Sequence, residues 1–109
     1  MTHCARSLQT IMNSKLNSAI GFAMKAGKLI SGDFTVEKAV RARKAKLTLI
    51  DSEASDNTKS KYRSMCENAG IPLIEVEELG RWIGKPGRMI AAATDEQFTT
   101  MIKRASAQE

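Results

Sequence analysis

Between Ala26 and Asp51 the sequence AGKLISGDFTVEKAVRARKAKLTLID changes its hydrophobic period twice, and this constrains the fold more than any other stretch. The short apolar run Leu29-Ile30 meets a Ser31-Gly32-Asp33 corner. A segment of helical period follows, and then a second apolar run from Leu47 to Ile50. The predicted order is strand, tight turn, helix, strand. Val36, Ala39 and Val40 fall at i, i+3 and i+4 and make one apolar face of the helix. Lys38 and Arg41 lie on another face, with Lys44 one turn further along. Asp33 is placed to cap this helix, its carboxylate accepting from first-turn amides.

The same alternation continues in both directions. Leu8, Ile11, Met12, Leu16, Ala19, Ile20 and Ala23 recur at helical spacing, and Gly27 is suited to the left-handed residue that ends such a helix. Residues 1 to 7 carry no periodic signal and are expected to fray. After Ile50, Ser55 or Asp56 caps a third helix reaching about Asn68, with Tyr62, Met65, Cys66 and Ala69 on its apolar face; Gly70 and Pro72 stop it. Ile71 to Val76 is a strand. Glu77-Glu78 opens a short helix with Leu79, Trp82 and Ile83 inward, because negative charge suits a helix N-terminus. Gly84 to Arg88 is a turn-rich loop. Met89 to Ala93 is a last strand, small and apolar enough to be central. Thr94 to Gln97 matches a capping box for a closing helix that starts with Phe98, Met101 and Ile102. Helices that separate strands imply a parallel or mixed sheet covered on both faces. The expectation is one domain over residues 1–109, an α/β protein built as a three-layer α/β/α sandwich with a four-stranded mixed sheet.

Charge narrows the function. Seven lysines and arginines (Lys25, Lys28, Lys38, Arg41, Arg43, Lys44, Lys46) face two acids, Asp33 and Glu37, between Lys25 and Lys46. That excess equals the net charge of +5 for the whole chain. A basic helix with basic flanks predicts a polyanionic partner. No apolar run approaches a membrane span. Cys4 and Cys66 lack a CxxC partner or a nearby histidine, which argues for a reducing cytosol and against a disulfide scaffold or a zinc site. At i+4 from Tyr62, Cys66 is expected to be a buried structural thiol.

Enzyme readings have little to stand on. The single histidine, His3, lies in the N-terminal stretch expected to fray, so no anchored general base is available. Neither GxGxxG nor GxxxxGK[ST] occurs. Glu75, Glu77 and Glu78 fit a solvated strand end and helix cap better than a metal site. No cofactor is expected. Recognition is favoured instead, because three loops are expected to converge at the carboxyl ends of the strands: Gly32 to Thr35, Asp51 to Ser55, and Gly84 to Arg88. Gly32 permits close backbone approach, and helix amides behind it are open to a phosphate. Asp33 would compete for those amides and repel the phosphate. Lys38 and Arg41 would track a nucleic-acid backbone.

The segments GFAMKAGKLISG, EKAV, AKLTLI, SDNT, KYRSMCENAGIPL and ELGRWIGK together resemble the kink-turn-binding ribosomal-protein family, within the pelota-like RNA-binding superfamily, and most of all its bacterial YlxQ-like branch. The likeness runs from about Ile20 to Phe98. It implies an α/β/α sandwich that binds RNA through Gly32 to Lys38 and through Lys85 to Met89. Together with the charge reading it gives an expected RNA-contacting set of Lys28, Gly32, Asp33, Phe34, Thr35, Lys38, Arg41, Lys85, Pro86, Gly87, Arg88 and Met89. Lys28 also has a plainer reading as a complement to the helix dipole. Kink-turn binders in this family follow the glycine with an Asn-Glu pair that reads guanine edges. Here Phe34 and Thr35 stand at those positions, and the family's helix-ending Arg-Gly is Ala42-Arg43. Phe34 either stacks on an unpaired base or plugs the core. The expected protein is cytoplasmic, non-enzymatic and ribosome- or translation-associated, with a structured, kinked or bulged RNA as partner; its oligomeric state is left open, with a monomer favoured. The alternative is a protein-interaction adaptor that meets an acidic partner with the same basic helix.

Overall fold

A computed structural model describes residues 15–107; the frayed segment expected at residues 1–7, the first apolar positions of the leading helix and His3 lie outside them. Helix α1 occupies residues 15–25 of this span. The elements that follow are β1 (Leu29–Ser31), α2 (Asp33–Arg41), β2 (Leu47–Asp51), α3 (Asp56–Ala69), β3 (Leu73–Val76), α4 (Leu79–Trp82), β4 (Ile90–Ala93) and α5 (Glu96–Ala107). The sheet order is β1-β4-β2-β3. β4 runs antiparallel to both β1 and β2, and β2 is parallel to β3, so the sheet is mixed.

The sheet is central because its inner strands are apolar on both sides. All five residues of β2 and all four of β4 are buried. On one face Leu47, Leu49, Ala91 and Ala93 meet Leu16, Ile20 and Ala23 of α1, Leu79 of α4 and Ile102 of α5. On the other, Ile50, Ile90 and Ala92 meet Val36, Ala39 and Val40 of α2 and Tyr62 of α3. The three-layer sandwich expected from the alternation is therefore present. Cys66 is buried among these groups as expected, and burial pushes its thiol pKa up.

Several local expectations are corrected. Asp33 does not cap α2. Gly32 occupies the cap position with no side-chain cap bond, and Asp33 is the first helical residue. Its carboxylate is taken by the Tyr62 hydroxyl instead. Of the two caps expected for α3, Ser55 is the one present, accepting from Thr58 N at 3.2 Å. The third strand begins at Leu73, two residues late, although the Pro72 carbonyl still accepts from Thr48 N at 3.0 Å. The last strand begins at Ile90, with Met89 joined to it through a carbonyl that accepts from Asp51 N at 2.8 Å. Asp95, not Thr94, caps α5, accepting from Phe98 N at 3.2 Å. Glu78 is left-handed (φ 53°) and makes no side-chain cap for α4. The anion at that helix start is Asp51, from 28 residues earlier, whose Oδ2 accepts from Leu79 N at 3.0 Å.

Candidate nucleic-acid interface

The mixed topology makes the two ends of the sheet chemically different. β1, β2 and β3 all finish where β4 starts, so the turns after β1 and β2 lie on either side of the loop that enters β4. Gly32 N donates to Ile90 O at 3.1 Å on one side, and Asp51 N to Met89 O at 2.8 Å on the other. The three loops expected to converge do so, although β1 and β2 are not hydrogen-bonded neighbours: β4 lies between them.

Gly32 is the contact point between the first loop and the last. Its backbone sits at φ 101°, and a methyl group in place of its hydrogen would collide with Arg88 Nη1 and lie 3.4 Å from Cζ. The Arg88 guanidinium thus lies over the bare glycine backbone, close against the start of α2. Arg88 is otherwise exposed, as are Lys85, Pro86, Gly87 and Met89. Next to this contact Phe34 is 81% exposed, which excludes its reading as a core plug. Phe34, Glu37, Lys38, Arg41 and Ala42 line one shallow groove along α2.

Beside the groove lies a polar network that fixes the acids of α2. The Tyr62 hydroxyl donates to Asp33, reaching its carbonyl at 2.9 Å and its carboxylate Oδ1. Burial pushes the Tyr62 phenol far up, and Asp33 adds to the shift. Lys61 Nζ is 2.6 Å from Glu37 Oε1 and 3.8 Å from Asp33 Oδ1. Arg41 Nη2 is 3.0 Å from Glu37 Oε2. The bond to Lys61 holds the Glu37 carboxyl below its usual range, and the same bond raises Lys61. Asp33 therefore does not compete for the first-turn amides of α2. Among the described residues Lys38 makes no ion pair, so its charge is open to solvent while that of Arg41 is shared with Glu37.

Not every candidate lies here. Lys28 precedes β1, at the opposite end of the sheet, where its carbonyl accepts from Thr94 N at 3.2 Å. Gly32, Asp33, Phe34, Thr35, Lys85, Pro86, Gly87, Arg88 and Met89 are together at the loop end. Lys38 and Arg41 lead away from it along α2. Sequence reasoning placed Asp51 in a converging loop but missed its carboxylate as an acceptor, missed Lys61, and saw Tyr62 only as a core residue. An acid ending an otherwise apolar strand was a legible sign for Asp51; nothing local marks Tyr62 as the partner of Asp33. Among the described residues no group of three or more His, Cys, Asp or Glu could hold a metal ion. No helix among them is long and apolar enough to cross a membrane.

The ribosomal protein L7Ae/L30e/S12e/Gadd45 family profile matches residues 14–102. Over 86 residues the chain is 38% identical to the RNA-binding protein YlxQ of Bacillus subtilis, which covers 76% of this chain and 86% of the relative. It is 35% identical over 92 residues to the RNA-binding protein YlxQ of Enterococcus faecium, covering 82% and 88% of the two chains. A Bacillus halodurans protein of unknown function superposes with a TM-score of 0.76 at 32% identity, over 86% of this chain and 95% of the other. A 15.5 kD RNA-binding protein of Giardia lamblia shares the fold at a TM-score of 0.71 and 17% identity, over 90% of each chain.

Proposed function

The chain belongs to the ribosomal protein L7Ae/L30e/S12e/Gadd45 family, and on that premise we infer that it is a non-enzymatic, cytoplasmic RNA-binding protein acting on the ribosome or in translation. The observation that carries this reading is the junction at the loop end. The Arg88 guanidinium, packed over the buried backbone of Gly32, and the outward Phe34 stand near each other at the start of a basic helix. Its RNA is a structured element with a kink or a bulge, since the deep, narrow groove of an A-form duplex gives side chains little to read. An unpaired base stacks on Phe34, and Lys38 and Arg41 follow the phosphates beyond it. Arg88, kept close to Gly32, meets the backbone on the other side of that base.

Phe34 and Thr35 limit what can be read. A phenyl ring has no donor or acceptor, and a threonine hydroxyl is too short to span a guanine edge. Good bidentate contacts provide about 1–3 kcal/mol of discrimination in DNA, and that order is missing here for paired guanines. The protein should therefore bind a hairpin with one unpaired nucleotide about as tightly as a kink-turn of equal length, and either more tightly than a perfect duplex. Phe34→Ala should reduce affinity for the bulged hairpin by about 1–3 kcal/mol and leave duplex binding nearly unchanged. Titration of the three RNAs with both proteins tests this. Equal affinity for bulged and paired RNA, unaffected by Phe34→Ala, would remove the stacking role. Crosslinking in cells that recovers no RNA would sink the function itself and favour the adaptor.

A further inference from the structure

We propose that the opposite end of the sheet, carrying Lys25, Lys28, Arg43, Lys44 and Lys46, is a second surface for RNA phosphates. It goes beyond the loop-end reading and takes from it only the identity of the polyanion. The topology builds the surface. Lys28 precedes β1 and Lys46 precedes β2, and these strands flank β4, with Leu29 and Leu47 both paired to Ala93. Lys46 N donates to Ala93 O at 2.8 Å, and Lys28 O accepts from Thr94 N at 3.2 Å. Two inter-strand steps separate the two lysine backbones, about 10 Å. Lys25 ends α1, and Arg43 and Lys44 lie in the turn that ends α2. One stretch of sequence, through the two turns that end α1 and α2, is thus gathered around a single strand end.

All five cations are exposed, and none makes an ion pair among the described residues; Lys38, Lys85 and Arg88 are likewise unpaired, whereas Lys59, Lys61 and Arg81 are paired. The acids bordering the surface are Glu67, Asp95 and Glu96, and the Asp95 carboxylate is engaged by Phe98 N. The turns themselves carry only small apolar residues: Ala26, Gly27, Ala42 and Ala45. Phe22, one turn before them, leans on Phe98 with ring centroids 5.8 Å apart and remains 63% exposed, outside the turns that carry the cations. A protein partner is usually held by aromatic or arginine anchors seated in desolvated pockets, and a membrane surface by inserted apolar groups. A phosphodiester backbone needs neither, only unpaired cations. Helix α2, nine residues long, spans about 14 Å between the two ends. An RNA with an unpaired base at Phe34 can therefore lay its flanking stem along Lys38 and Arg41 onto Arg43, Lys44 and Lys46.

The test uses one bulged hairpin in two lengths: a stem of about 16 base pairs, enough to span two successive minor grooves, and a stem of about four base pairs, which at roughly 3 Å per pair ends short of the far end of α2. The variant is Lys28→Gln/Lys44→Gln/Lys46→Gln, all exposed positions whose thermal midpoint should match the wild type. Wild type should bind the long hairpin about ten-fold or more tightly than the short one at low salt. The triple variant should bind both alike, and its log–log salt slope on the long hairpin should fall by about two, at roughly 0.7 to 0.9 per lost contact. An unchanged slope and an intact long-stem advantage overturn the proposal and leave the loop end untouched. If Phe34→Ala and Arg88→Ala bind both hairpins normally while the triple variant binds neither, the second surface stands and the loop-end reading falls. Displacement of the long hairpin by polyglutamate as effectively as by unlabelled hairpin overturns the assignment to RNA.

Discussion

Where β1 and β2 finish, side chains are tied to one another and to backbone; where the same strands begin, the cations have no ion-pair partner among the described residues. At the finishing end Asp51, only 5% exposed, accepts from Glu53 N at 2.7 Å and Leu79 N at 3.0 Å, and Tyr62 secures Asp33. The loop into β4 packs Arg88 over Gly32. At the starting end Lys28, Lys44 and Lys46 are fixed only through their backbones. The difference teaches that charge density and built structure are separate signals. The finishing end carries Asp33, Asp51, Glu53, Glu77 and Glu78 on its turns and is not the more basic one, yet it has the preorganised contacts that select a shape. The starting end has charge without preorganisation, which suits affinity and salt dependence more than selection.

The contrast breaks most visibly at Asp51. Asp51→Ala leaves two amides without their acceptor, one of them at the buried start of α4, and should cost about 3 kcal/mol in urea denaturation. Asp51→Asn keeps an acceptor oxygen and should cost about half as much. Neutralising Lys28, Lys44 and Lys46 together should stay within about 0.5 kcal/mol of wild type, as exposed substitutions generally do. A similar loss at both ends would mean that the starting end is also structural, and the distinction between the two would go.

A smaller effect sharpens the same point at Gly32. Gly32→Ala forces a side chain into φ 101° and against the Arg88 guanidinium, so it should destabilise by about 2 kcal/mol. Adding Arg88→Ala removes the collision but not the backbone strain. The double variant should recover about 0.5 to 1 kcal/mol relative to simple addition of the two single changes. Strict additivity would show that Arg88 is free to swing away, and its role as a fixed contact would be lost.

Much of this fold was legible because its signals are local. The i, i+3, i+4 spacing of Val36, Ala39 and Val40 identified the buried face of α2, and Gly70 with Pro72 marked the end of α3. The convergence of three loops also followed from the alternation of helices and strands. What could not be read were contacts that local rules compete with. Asp33 has the chemistry of an N-cap, yet a tyrosine 29 residues away takes its carboxylate. Glu77-Glu78 suits a helix start, but the buried Asp51 reaches Leu79 N first. The run Lys25 to Lys46 looked like one basic patch. A strand of three residues and a helix of nine carry its members to both ends of the sheet and along the layer between them. Linear clustering of charge becomes spatial clustering only where the chain turns back, and here it does so around Ala93.

The smallest expected effect lies at the charged end itself. Helix α2 closes with Lys44 N donating to Ala39 O (2.9 Å) and Arg43 N to Val40 O (3.1 Å), which puts Arg43 at φ 60°. The corresponding turns after α1 and α3 have glycines there, Gly27 at φ 73° and Gly70 at φ 71°, as the left-handed position favours. An arginine at this position carries a strain of order 1 kcal/mol. Arg43→Gly relieves it but also loosens the unfolded chain, and the Arg43 stem borders Met65 and Ala69 in a shallow pocket, so the net gain should be about 0.5 kcal/mol. That corresponds to a rise in thermal midpoint of roughly 2–4 °C for a domain of this size. The same change should lower the salt slope of long-hairpin binding by about 0.7 to 0.9. A gain in stability with a loss in slope means that this turn sacrifices helix-end comfort to present one more cation. Lower stability on Arg43→Gly would instead make the arginine a packing residue over α3 and remove it from the charged surface.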